Sequence, residues 1–100
     1  MSERILCAAI HHDDGVVRKG QPINITSGIV FSGYRHWNCM ELFHQFFDAK
    51  VTRDMQGFLT SKNRYVDRKE GYLIAKQAGQ LLHDLHDLSD PKLVSEDLYR

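Results

Sequence analysis

Apolar positions fall into two rhythms along this chain: short runs bounded by turn-forming residues, and two longer segments with a three-and-four-residue stripe. Residues 4–10, Arg-Ile-Leu-Cys-Ala-Ala-Ile, form a run too short for a helix that ends in polar residues, which predicts a buried strand at the centre of a sheet. Asp14-Gly15 marks a turn after it, and residues 16–18 are expected to return as a short strand. Past a loop over residues 19–22, residues 23–26 read as a brief extended piece, and Gly28 and Gly33 bracket a strand rich in β-branched and aromatic residues. Residues 57–60 and 64–66 predict a hairpin about Ser61-Lys62-Asn63, with Asn63 able to take the left-handed conformation.

The helical rhythm appears twice. Asn38 followed by Glu41 has capping-box spacing and predicts a helix to about Ala49. Its apolar face carries Met40, Phe43 and Phe47, widened by Cys39, Leu42 and Phe46, while His44 and Gln45 face solvent. Asp67 and Glu70 repeat the spacing and predict a helix beginning at Arg68. Its stripe runs through Ile74, Ala78, Leu81, Leu85 and Leu88; Gly79 ends the helix, kinks it or admits another backbone. Asp90-Pro91 stops the pattern, and the acidic tail over residues 92–100 carries Leu93, Val94, Leu98 and Tyr99, which are expected to dock on the domain or on a neighbouring subunit. The expected fold is α+β: a small antiparallel sheet of about four to six short strands packed by two α-helices, one domain over residues 1–100.

Composition narrows the function classes. One hundred residues make one domain, which buries only about two-thirds of its unfolded surface and so gains from a partner subunit. Thirteen basic and thirteen acidic residues cancel, so no overall field draws the chain to DNA, RNA or a membrane surface. No apolar run approaches the roughly 20 residues of a membrane helix. Cys7 and Cys39 lack CxxC spacing, and no charged-then-apolar leader is seen; reduced core cysteines in a cytoplasmic protein are expected. There is no P-loop, no Rossmann glycine fingerprint and no nucleophile elbow.

The candidate chemistry is local. The helix macrodipole favours acidic residues in a first turn, yet Arg68 and Lys69 open the second helix and Arg64 precedes it. Arg35 and His36 similarly precede the first. Two helix N-termini with nearby guanidinium groups can grip a diphosphate. The plainer reading is that these are solvated surface cations, partly neutralised by Asp67 and Glu70. Phe58 or Tyr65 can stack on a flat ring and Asn63 can hydrogen-bond its edge, although strand aromatics are more often core. His11-His12-Asp13-Asp14 has metal-ligand residue types, but adjacent extended residues point to opposite faces, so a polar turn is the better reading. His83 and His86, three apart, lack a third ligand and read as a solvated face.

The ordered set Ile5-Leu-Cys-Ala-Ala-Ile10, Gly33-Tyr-Arg-His36, Gln56-Gly-Phe-Leu-Thr60, Asn63-Arg-Tyr-Val-Asp-Arg-Lys-Glu70, Ile74-Ala75, Ala78-Gly-Gln80 and Ser95-Glu-Asp-Leu-Tyr99 resembles small bacteriophage proteins of the first-described Thoeris anti-defence family. The resemblance spans nearly the whole chain. It implies a sponge that binds a cyclic ADP-ribose isomer made by a host TIR-domain enzyme, holds it without cleavage, and works as a homo-oligomer in the infected cell; some members also bind cyclic oligonucleotides. No cofactor is implied. Such a ligand offers a diphosphate to Arg35, Arg64 and Arg68 and a purine to Phe58, Asn63 or Tyr65. Two other readings stand beside it: a nucleotide-processing enzyme using His36 or His11 with Asp67, and a protein–protein inhibitor using the Phe-rich helix and acidic tail.

Overall fold

The computed structural model describes residues 3–80. Four strands form one sheet in the order β2-β1-β3-β4: β1 is Ile5–His12, β2 Ile29–Gly33, β3 Gln56–Thr60 and β4 Tyr65–Asp67, every neighbouring pair antiparallel. The apolar N-terminal run is a central strand, as its composition requires. Two helices follow the second and fourth strands, α1 at His36–His44 and α2 at Arg68–Gln77, and a 3₁₀ turn at Arg53–Met55 leads into β3. The result is the small α+β domain expected.

Register decides which side of the sheet is covered. Ile10 opposes Phe31, Ala8 opposes Phe58, and Phe58 opposes Val66, so these side chains share one face. Cys39 and Phe43 of α1 and Tyr72, Ile74 and Ala75 of α2 complete the same buried cluster. Burying Phe43 and Phe58 fully contributes about 1.5–3 kcal/mol each over leaving them exposed. A shift in pairing between Ile5 and Cys7 keeps Ile5 in that cluster despite its odd spacing from Ala8.

The connection from β1 to β2 manages both sheet edges. The Gln21 side-chain carbonyl accepts from the Val30 N–H at 2.8 Å. The Asn24 side chain brackets Tyr65, donating to its carbonyl at 2.5 Å and accepting from its N–H at 2.8 Å. Ile23 N–H donates to the Asn63 carbonyl at 2.8 Å. Edge groups that would otherwise invite another strand are thereby occupied.

Several local expectations need correction. Residues 16–18 and 23–26 are not strands; Arg18 closes back on Asp14 through two hydrogen bonds, and the Val16 carbonyl receives the Gly28 N–H at 2.8 Å. Helix α1 starts earlier than Asn38, with Arg35 as N-cap, because Asn38 sits at the third helical position and its Oδ1 accepts from the Arg35 N–H at 3.0 Å. It ends at His44 rather than near Ala49. Leu42 and Phe46 are exposed, 36% and 67%, so the buried stripe is narrower than the sequence suggests.

Helix α2 begins where expected. Asp67 Oδ1 accepts from the Glu70 N–H at 2.7 Å, but the Glu70 carboxylate pairs with Arg64 at 3.0 Å. The helix closes in a Schellman turn: Gly79 takes φ 70°, its N–H reaches the Lys76 carbonyl, and Gln80 N–H reaches the Ala75 carbonyl. The Gln80 side chain then brackets Ile5, with both bonds at 2.8 Å, pinning the helix end to the start of β1. The apolar continuation over residues 81–88, His83 and His86, and the tail over residues 92–100 lie outside the described residues.

Candidate functional site

Both helix N-termini are tied to one glycine. The carbonyl of Gly57 on β3 can only accept, so His36 Nε2–H, on the first residue of α1, donates to it at 2.8 Å. On the other side Gly57 pairs directly with Asp67, the N-cap of α2, which sets their Cα atoms about 5 Å apart. A side chain at position 57 has no room: a Cβ would lie 2.2 Å from the Val66 carbonyl oxygen and 2.7 Å from the Tyr65 ring. Glycine here is a close-approach requirement, which lets the β4 backbone and the tyrosine ring crowd one point.

The residues singled out from the sequence fall in four places. Arg35 sits at the N-terminus of α1, its guanidinium carbon 5.0 Å from the centre of the Tyr34 ring. His36 is buried, 9% exposed, with its ring edge-on to Phe58 at 5.0 Å. Phe58 beneath it is fully buried in the core. Arg68 opens α2 and is half-buried.

Asn63 and Arg64 lie at the β3–β4 turn. Asn63 is exposed with φ 58°, the left-handed conformation expected of it. Arg64 grips Glu3 with Nε and Nη2, both at 2.8 Å, and Nη2 also reaches Glu70 at 3.0 Å. Thr60 Oγ1 donates to the same Glu3 carboxylate. Those donors, Arg64 first and Thr60 next, hold the Glu3 carboxyl down at about 2, and the two carboxylates push the Arg64 guanidinium above its ordinary range. Arg64 therefore joins the N-terminal segment to α2, and a phosphate there would compete with two carboxylates.

Tyr65 lies on the opposite sheet face from Phe58, since its neighbour Val66 shares Phe58's face. Its hydroxyl donates to the Met55 carbonyl at 2.9 Å and its ring tilts against His11 at 5.5 Å. Burial pushes the phenol pKa up. His11 Nε2–H donates in turn to the Ser27 carbonyl at 3.0 Å, while His12 packs on Phe43 and Phe47. The two histidines point apart, as an extended chain requires. Among the described residues no group of three or more His, Cys, Asp or Glu side chains is placed to hold a metal. Cys7 and Cys39 carry free thiols; burial pushes Cys39 up to about 12, which leaves it an inert core residue.

Two residues that the sequence reading passed over stand out at the start of α1. Tyr34 is 54% exposed and Trp37 is 59% exposed. The first turn of α1 carries no acidic residue, whereas the first turn of α2 carries Glu70. The available signal was the run Tyr34-Arg35-His36-Trp37 itself, three rings around an arginine, which looks apolar until the fold shows that only His36 turns inward.

The architecture places the chain among small α+β domains, with two helices on one face of a four-stranded antiparallel sheet. The chain belongs to the phage T4 y16D protein family, a family of phage proteins whose model matches residues 4–99. No curated protein and no solved structure matches it. No helix among the described residues is long and apolar enough to cross a membrane.

Proposed function

We propose that this phage-family protein binds and sequesters a cyclic nucleotide immune signal, a cyclic ADP-ribose isomer made by TIR enzymes, without cleaving it, as a homo-oligomer in the cytoplasm of the infected host. The observation that supports this most is the tethering of both helix N-termini to Gly57. Helix starts present unsatisfied N–H groups and partial positive charge to an anion. Here each start carries an arginine, Arg35 at one and Arg68 at the other, and a diphosphate is the ligand group that two such ends suit. Family membership supports a phage accessory role.

Retention rather than turnover fits the chemistry of the side chains around Gly57. His36 has one ring nitrogen committed to the Gly57 carbonyl, and Asp67 caps α2, so the residues nearest a bound phosphate have structural duties. A nanomolar site corresponds to about 12 kcal/mol of net binding free energy, which charge-assisted hydrogen bonds and base stacking can supply together.

The reading is tested with the purified cyclic ADP-ribose product of a TIR enzyme. Arg35→Ala and Arg68→Ala are each expected to weaken binding about ten- to a hundred-fold by calorimetry while thermal melting stays within a few degrees of wild type. Chromatography over hours should return the ligand intact. Unchanged affinity in both variants would remove the helix-start site, and appearance of ADP-ribose would make the protein an enzyme.

A further inference from the structure

The rings named from the sequence as stacking partners are occupied by the fold: Phe58 is fully buried, and Tyr65 spends its hydroxyl on Met55 and its ring on Gly57 and His11. We infer that Trp37 is the platform on which a nucleotide base stacks, and that Tyr34 steadies Arg35 for the attached phosphate. The inference deepens the proposed function and rests on it, but its evidence is a separate side-chain cluster.

Trp37 and Tyr34 are each more than half exposed, 59% and 54%; among the other described aromatic rings Phe46 is also exposed, while Phe31, Phe43, Phe58 and Tyr72 are buried. An indole in water with its apolar surface uncovered gains from a flat partner, and every base has a π face to offer. The cation is adjacent. Arg35 lies two positions from Trp37, within about 7 Å along the backbone, and its guanidinium rests 5.0 Å from the Tyr34 ring centre. Contact with the ring limits the arginine's rotamers, so less freedom is lost when it meets an oxyanion. His36 between them fixes the origin of both groups, since its ring is anchored to β3 through the Gly57 carbonyl. The start of α1 thus carries an exposed indole and, two residues before it, an arginine braced on Tyr34, the two kinds of group that a nucleotide uses: base, then phosphate. A free phosphate would use only the arginine, and an apolar peptide only the rings.

The chain holds a single tryptophan, so its fluorescence reports this position alone. Wild-type protein titrated with the purified cyclic ADP-ribose product of a TIR enzyme is expected to show saturable quenching of tryptophan emission, with the same midpoint as calorimetry. Trp37→Leu should bind roughly ten-fold more weakly or worse, and Trp37→Phe should restore most of the affinity. Tyr34→Ala should weaken binding several-fold while Tyr34→Phe does not. Circular dichroism of each variant should match wild type, because both side chains are exposed. Calorimetric binding with unchanged emission and full affinity in Trp37→Leu would overturn the platform and leave the nucleotide reading standing. Absence of calorimetric binding in the wild type would overturn both.

Discussion

Glu3 accepts two hydrogen bonds from Arg64 and one from Thr60, and its carboxyl titrates at about 2 instead of 4.5. A carboxyl whose folded pKa is depressed contributes stability above its unfolded pKa, and that contribution disappears as pH falls from about 4.5 towards 2. Glu3→Gln should therefore cost about 1–2 kcal/mol at neutral pH, with wild type and variant converging near pH 2. Urea unfolding at a series of pH values measures this; parallel curves would show that the Glu3–Arg64 pair is solvated surface. Gly57 gives a second residue-scale prediction. Gly57→Ala drives a Cβ into the Val66 carbonyl and the Tyr65 ring, so a loss of about 2–4 kcal/mol is expected in thermal melts. The same residue shows what a sequence hides. The Gln-Gly-Phe-Leu-Thr pattern announced a strand, but the need for glycine comes from the Tyr65 ring and the Val66 carbonyl, which reach position 57 from eight and nine residues away.

Among the elements, the caps explain where sequence signals succeed and where they mislead. Asp67 and Glu70 marked the start of α2 because the local bond from the Glu70 N–H to Asp67 needs no distant partner. Asn38 misplaced the start of α1, since an Asn three residues inside a helix can reach back to the N-cap as readily as it can cap. Asn38→Ala is expected to cost about 1 kcal/mol and to raise hydrogen exchange at the Arg35 N–H; protection unchanged at Arg35 would contradict the reversed cap. The four strands were legible from apolar runs bounded by glycines and turns. The β1–β2 connection was not, for its order depends on side-chain contacts such as Asn24 with Tyr65, forty-one residues apart. Asn24→Ala removes both bonds and uncovers the β4 edge, so a loss of about 1–2 kcal/mol and faster exchange at the Tyr65 N–H are expected.

At the scale of the whole molecule, the sheet buries one face under two helices and brings both helix starts to Gly57. The arginines of the candidate site were legible because cations gathered at helix starts run against the macrodipole. The roles of the aromatics were not, because exposure is a property of the fold: a strand phenylalanine goes inward, and a tryptophan beside a buried histidine stays out. Arg64 likewise shows its carboxylate partners only once the hairpin, the N-terminal segment and α2 meet. The proposal of signal capture is tested most directly by incubating the purified protein with lysate from cells expressing an active TIR enzyme, washing it, heating it, and identifying the released small molecules by mass spectrometry. An intact cyclic ADP-ribose isomer is expected, released in proportion to protein and reduced by Arg35→Ala. Release of no nucleotide, or of ADP-ribose alone, would contradict it.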